Sequence, residues 1–365
     1  MADITVANLH KRFDKFVAVK DSSFKIHDGE FFVLLGPSGC GKTTTLRMIA
    51  GLELPTSGQI HIENEDVSFL RARQRDIAFV FQMFALYPHM NVRQNISFPL
   101  KCQGMPRKEM KQRVNEVADI LQIHDLLDSP VGALSSGDKQ RVSLGRAIIR
   151  RPQAFLMDEP LGALDSEFRH LMCDELRELH KKIGATTVYV THDQLEAMSM
   201  ADKIMVMNHG VIEQVGEPQF IYDYPNTVFV ASFLGEPSMN LIEFDDDTRM
   251  AQSTVRVHDV PIKISPLKES VSTTKLVLGI RPEHINLVEY SLINGIVESV
   301  EYLGSTQVVT VNSVIGVLKA RVDTQQRPKR GDIVYLDLEE QKTTLFQRES
   351  GQVIMNQRYM EADRG

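Results

Sequence analysis

The stretch Gly36-Pro37-Ser38-Gly39-Cys40-Gly41-Lys42-Thr43-Thr44 decides the fold. It fits GxxxxGK[ST], follows the apolar run Phe31-Phe32-Val33-Leu34-Leu35, and leads into Thr44-Thr45-Leu46-Arg47-Met48-Ile49-Ala50, which reads as a helix. A short apolar run ending at a glycine is the pattern of a strand buried on both faces. The glycines let the backbone curl so that consecutive N–H groups turn inward, and the helix N-terminus adds partial positive charge at the same point. Such a loop cradles phosphate oxygens. Lys42 is expected to reach the β- and γ-phosphates of a nucleoside triphosphate, and the Thr43 hydroxyl to hold Mg²⁺. A glycine-rich turn with no ligand would match the same spacing, but strand before and helix after argue against it.

Outward from this loop, residues 77–81, 154–157, 186–190 and 204–207 repeat the short apolar run, and residues 107–122, 138–150 and 166–183 carry apolar residues at three- and four-residue spacing. Strands alternating with helices over the first 235 residues predict an α/β fold with a parallel sheet covered on both faces. Gly235-Glu236-Pro237-Ser238 punctuates the chain. Beyond it the segments are short and rich in Val, Ile and Thr (292–302, 306–311, 314–322, 332–338), which predicts a small all-β, barrel-like domain over 236–365.

Two further segments complete a triphosphate site. Phe155-Leu156-Met157-Asp158-Glu159-Pro160 places two acids at the C-terminal end of an apolar strand, the end at which parallel sheets bind ligands. Asp158 is expected to hold Mg²⁺ through its water, and Glu159 to polarise the water that attacks the γ-phosphate. Val190-Thr191-His192-Asp193 ends the next strand, so His192 is placed to contact the γ-phosphate and keep Glu159 and the water in line. An acidic turn and a capping histidine are the bland alternatives.

Composition narrows the class. The 365 residues carry 41 Lys and Arg against 48 Asp and Glu, a net charge of −7, with 42% hydrophobic residues. The charge splits into about −3 for residues 1–235 and about −4 for the rest, so neither part is a basic surface for nucleic acid. No apolar run approaches the roughly 20 residues that span a bilayer, and Met1-Ala2-Asp3-Ile4 does not read as a signal peptide. Cys40, Cys102 and Cys173 lie far apart, which fits a reducing compartment rather than a zinc ribbon or disulfide scaffold.

Taken in order, these motifs resemble the ATP-binding cassette (ABC) ATPases, P-loop proteins with a helical subdomain, here about 88–150. Gln82 is similar to that family's Q-loop glutamine, which implies a catalytic and metal-binding role that reports groove occupancy to the Mg²⁺ site. Leu134-Ser135-Ser136-Gly137-Asp138-Lys139-Gln140-Arg141 resembles its signature motif, and Leu161-Gly162-Ala163-Leu164-Asp165 its D-loop. The resemblance implies ATP and Mg²⁺ as cofactors. It also implies two chains packed head to tail, each ATP lying between one chain's residues 36–44 and the other's Ser135, Ser136, Gly137 and Asp165. The signature segment makes physical sense by itself, because Ser135 and Gly137 open a helix whose N–H groups form a second anion site. It departs from the family where Ser136 replaces the usual Gly and Asp138 the usual Gln or Glu. Phe13 stands where the family commonly stacks an aromatic on adenine; core packing is its plainer reading.

Gly279-Ile280-Arg281-Pro282-Glu283-His284-Ile285, with Tyr222-Asp223-Tyr224-Pro225 and Phe229–Gly235 leading in, resembles the C-terminal OB-like (TOBE) domain of carbohydrate-type importer ATPases. That resemblance implies a subunit powering uptake of a sugar, polyol or glycerol-type solute at the cytoplasmic face of the membrane. Its partners would be a second ATPase chain, two membrane permease subunits and, indirectly, a solute-binding protein. Residues 83–90 (Met-Phe-Ala-Leu-Tyr-Pro-His-Met) are expected to line a groove for a short permease helix; a buried loop is the alternative. The rival functions are a soluble ABC ATPase acting on ribosomes or DNA, and a regulator-binding role for the β-domain.

Overall fold

The computed structural model describes residues 2–162, 164, 166–268 and 274–362. The chain divides into two units, Met1–Gln219 and Phe220–Gly365. In chain order the first unit contains β1 (Ile4–Phe13), β2 (Phe16–Ile26), β3 (Phe31–Leu35), α1 (Lys42–Ile49), β4 (Ser57–Ile62), β5 (Glu65–Asp66) and β6 (Ile77–Val80). There follow α2 (Val92–Cys102), α3 (Arg107–Leu121), α4 (Ser136–Ile148), β7 (Ala154–Asp158), α5 (Ser166–Ile183), β8 (Thr186–Thr191), α6 (Gln194–Met200), β9 (Lys203–Asn208) and β10 (Val211–Gly216).

The expected parallel sheet is present in the order β10-β9-β3-β8-β7-β6. Every residue of β3, β7 and β8 is buried, as continuous apolar strands require when both faces are covered. Register does the positioning. Leu35 pairs with Thr191 across β3 and β8, and Asp158 with Val190 across β7 and β8. The residues that follow these three strands, the glycine loop, Glu159 and His192, therefore emerge side by side on one edge of the sheet.

Two features depart from the expectation of a single parallel sheet. β10 runs antiparallel to β9, and β1, β2, β4 and β5 form a separate antiparallel sheet in the order β2-β1-β4-β5. These strands are half-buried, and bulges between Val6 and Leu9 and between Leu9 and Lys11 break their alternation. α2, α3 and α4 make the helical subdomain. Asn91 and Gln94 form a reciprocal capping box at the start of α2, and buried Asn95 bonds the backbone of Tyr87, Met90 and Asn91.

The second unit takes in α7 (Pro218–Asp223), which spans the division, and α8 (Val228–Phe233). Its strands are β11 (Asn240–Asp245), β12 (Thr254–Val257), β13 (Val260–Lys263), β14 (Lys275–Ile280), β15 (Ile285–Val288), β16 (Ile293–Tyr302), β17 (Thr306–Ser313), β18 (Gly316–Asp323), β19 (Ile333–Leu338) and β20 (Thr344–Gln347). A short α9 (Gln357–Ala362) follows. The five-stranded sheet β15-β19-β16-β17-β18 brings its two edge strands into contact, around a core that includes Val297, Val309, Leu318 and Leu336. The division falls before the Gly235 punctuation, and Arg281 explains why. Its guanidinium, 2% exposed, donates to the carbonyls of Tyr222, Ala231 and Leu234, and its Nε has no hydrogen-bond partner among the described residues. Arg281 thereby ties residues 222–234 into the β-rich unit, and Tyr222 adds a 2.7 Å bond to Glu283. The Arg281-Pro282-Glu283 motif is a structural clasp.

Candidate nucleotide site

The loop after β3 is built by close backbone approach. A Cβ at Gly36 would lie 2.2 Å from the Met207 carbonyl oxygen, and one at Gly41 2.5 Å from that of Ala18. Gly41 also takes φ of +109°, so both positions demand glycine. Lys42 is 4% exposed and donates to the carbonyls of Gly36 (2.7 Å) and Pro37 (3.0 Å). Its ammonium is thus parked on its own loop, within reach of whatever anion the loop receives. Cys40 Sγ is 3.8 Å from the same ammonium, and burial pushes its thiol up. α1 begins at Gly41 with no side-chain cap and no acid in its first turn, leaving its N–H groups to an external acceptor.

At the end of β7, the Thr43 hydroxyl donates to Asp158 Oδ1 at 2.9 Å, and Arg47 lies 3.8 Å from Asp158 Oδ2. Burial pushes the Asp158 carboxyl above the usual carboxylate range, opposed by the Thr43 bond and Arg47. Glu159 adopts φ of +44°, a left-handed backbone rare for a side-chain-bearing residue and typical of strained functional turns. Gln82 Nε2 donates to Glu159 Oε2 at 3.3 Å, and His192 Nδ1 sits 3.3 Å from the same oxygen. Two residues from neighbouring strand ends thus converge on the carboxylate of a third. The donor set of Thr43, Asp158 and Gln82 presents hard oxygens, the chemistry that suits Mg²⁺.

The remaining candidates are spread over other elements. Phe13 ends β1 opposite Phe16 and is 42% exposed, with Lys11 Nζ 4.7 Å from its ring centroid, so the core-packing alternative does not hold. Ser135 caps α4, which starts at Ser136 rather than at Asp138. Ser136 is exposed and Gly137 buried. Asp165 lies outside the described residues. The segment 83–90 is not a buried loop, since Met83 is 80% exposed. Beside it runs a groove of about 310 Å³ lined by Phe79, Tyr87, Phe98, Cys102 and Arg146 among others. Of the eight residues expected there, Tyr87 alone faces it; the carbonyls of Phe84 and Ala85 are held by Ser143 and Arg146.

Arg47 and Arg169 join the site without any motif flagging them. Arg169 donates to Asp193 Oδ2 (2.9 Å) and the Leu164 carbonyl (3.0 Å), linking the turn after Glu159 to the cap of α6 beside His192. Behind it, buried Glu196 accepts from Tyr189 (2.8 Å) and Thr191 (2.7 Å), and burial raises its carboxyl. Arg169 stands at the fourth position of α5; a basic residue one turn into the helix that follows paired acids was the available signal.

Known proteins resemble this chain in sequence and in fold. Residues 19–162 match the family model described as ABC transporter, and residues 278–346 the TOBE domain. The chain is 43% identical to the trehalose/maltose import ATP-binding protein MalK of Thermococcus litoralis, over 97% of this chain and all of that one. It is 44% identical to the sn-glycerol-3-phosphate import ATP-binding protein UgpC of Bordetella avium (89% and 90% covered) and to the xylose/arabinose import ATP-binding protein XacK of Haloferax volcanii (97% and 94%). Among solved structures, cbiO1 of Clostridium perfringens superposes with a TM-score of 0.57 at 28% identity, covering 60% of this chain and 90% of that one. A dimeric bacterial ABC transporter cassette superposes at 0.53 and 30% identity, covering 59% and 98%.

Proposed function

This chain belongs to the family of ABC transporter ATP-binding proteins, and on that premise we propose how its residues power import. It is an ATPase subunit of an importer for a sugar, polyol or glycerol-type solute, with relatives named for trehalose/maltose, glycerol 3-phosphate and xylose/arabinose uptake. The observation that carries the mechanism is the convergence of Gln82 and His192 on Glu159, beside the Thr43–Asp158 pair.

In this reading ATP binds the loop 36–44, whose N–H groups and Lys42 take the β- and γ-phosphates, while Phe13 offers a ring face to the base. Thr43, Asp158 and Gln82 hold Mg²⁺, which when bound neutralises charge on the transferring phosphoryl group. Glu159 accepts a proton from the attacking water, and His192 and Gln82 fix the orientation of that carboxylate. The N–H groups at the start of α4 and the Ser135 hydroxyl meet the γ-phosphate held by a second chain, with Asp165 at the same junction. ATP then closes two copies, and loss of the γ-phosphate opens them.

The chain works as a peripheral subunit at the cytoplasmic face of the cell membrane; among the described residues no helix is long and apolar enough to cross a membrane. The groove at Tyr87, Phe98 and Arg146 receives a short helix from one permease subunit, so that two copies engage two permease subunits, which take solute from a binding protein. Gln82, five residues before Tyr87, relays occupancy of that groove to Glu159. The β-rich unit extends the contact between copies or takes a regulator. The direct test is Glu159→Gln: with ATP it is expected to run as a dimer on gel filtration, and a monomer with ATP bound would count against the sandwich. Capture of two membrane subunits by the tagged chain checks the groove, and Tyr87→Ala is expected to weaken that capture.

A further inference from the structure

Ser135 spends its hydroxyl inside its own chain. As the cap of α4 its oxygen accepts the Asp138 N–H at 3.1 Å, and its proton goes to Asp138 Oδ2 at 2.6 Å. Asp138 stands three residues after the cap, where a capping box uses Glu or Gln to reach back to the cap residue's backbone N–H. The same chain shows that arrangement at α2. There Gln94 Oε1 accepts from the Asn91 backbone N–H at 3.0 Å, while the Asn91 side chain accepts from the Gln94 N–H at 2.8 Å. Aspartate is one methylene shorter, and at α4 it takes the serine hydroxyl in place of the backbone N–H. Its other oxygen lies 3.7 Å from Arg141, but that guanidinium is forked onto Glu175 at 3.1 and 2.7 Å. Asp138 is therefore an internal anion, only partly compensated, seated on the donor that a triphosphate would use.

We propose that Asp138 competes with the nucleotide for the Ser135 hydroxyl, acting as a positioning residue that raises the ATP concentration at which two copies close. The inference rests on the reading above, in which Ser135 meets the ATP held by a second chain. On closure the Ser135 proton turns from the Asp138 carboxylate to a γ-phosphate oxygen; no covalent bond changes. A side chain long enough to complete the capping box would leave the hydroxyl free whether or not it carries charge, so Asp138→Glu and Asp138→Gln separate reach from charge.

The experiment measures dimer formation against ATP concentration by sedimentation, using the full chain with Glu159→Gln as parent. Asp138→Glu and Asp138→Gln are each expected to lower the half-maximal ATP concentration about fivefold, the worth of one hydrogen bond. In a Ser135→Ala background the Asp138→Glu gain should vanish, which a role in helix stability alone would not produce. An unchanged midpoint in both variants, with the parent still dimerising, overturns the proposal and leaves the sandwich standing. A gain in Asp138→Gln but not in Asp138→Glu overturns it as well, because charge and not the hydroxyl would then be responsible. A parent that stays monomeric with ATP bound overturns the sandwich and the proposal together.

Discussion

α1 and α4 carry the two helix N-termini proposed to meet phosphate, and they are finished in opposite ways. α1 starts at a left-handed glycine, has no side-chain cap and no acid in its first turn, and its lysine rests on loop carbonyls. α4 starts at Ser135, whose hydroxyl is paired with Asp138 in the first turn. An N-terminus without an internal anion keeps its full demand for one from outside, which fits the proposed role of α1 as the first contact for nucleotide. An N-terminus that supplies its own anion must exchange it, which suits a surface that engages phosphate only when a second chain delivers it. In the proposed mechanism the difference separates binding, which one chain performs, from closure, which needs two.

That contrast can be broken by mutation. Glu159→Gln has the largest expected effect, a loss of about 10²–10⁴ in turnover, the usual worth of a general base. Retention of ATP binding shows that chemistry has been separated from both termini, and steady-state ATPase with nucleotide-binding assays measures it. Lys42→Ala removes the ammonium that rests on the loop carbonyls and is expected to weaken ATP binding about 10²-fold, since hydrogen bonds from a charged group contribute about 1.5–3 kcal/mol each. Unchanged affinity by calorimetry would remove the assignment of α1 as primary site.

Ser136→Gly acts at the α4 end, where it takes a Cβ out of the phosphate approach. ATPase should rise about two- to fivefold, under 1 kcal/mol, and a drop would mean that the serine is adapted to its partner surface. The smallest effect is on stability. Because burial raises the Asp158 carboxyl, its ionised form costs folding energy at neutral pH, and that cost is relieved as pH falls through its folded value. Asp158→Asn should therefore raise Tm by about 2 °C at pH 7.5, with a smaller gain at pH 4.5, while hydrolysis is lost. A lower Tm at pH 7.5 would contradict the burial argument.

Local rules made much of the site readable. β3 spans Phe31–Leu35 as its apolar run requires, and α5 spans Ser166–Ile183 as its periodicity predicts. The strands at 186–190, 204–207, 292–302 and 332–338 fall within a residue or two of expectation. The antiparallel sheet of β1, β2, β4 and β5 was not readable, because bulged, half-buried strands break the period-two pattern. The role of Arg281 was hidden for another reason. A guanidinium that clasps the carbonyls of residues 222–234 leaves no mark in the sequence beyond the arginine itself.

From the sequence by itself came the strands of the parallel sheet, the main helices, the loop at 36–44 and the residue types of the phosphate chemistry, because glycine conformations and apolar periodicity are local properties of the chain. Only the tertiary structure decided that Gln82 and His192 share one oxygen of Glu159, that Arg169 bridges Leu164 and Asp193, and that Asp138 holds Ser135. The first two depend on which strand ends lie side by side, and β-sheet register couples residues far apart in the chain. The third depends on one methylene of reach, which a motif records as a letter and only geometry turns into a hydrogen bond.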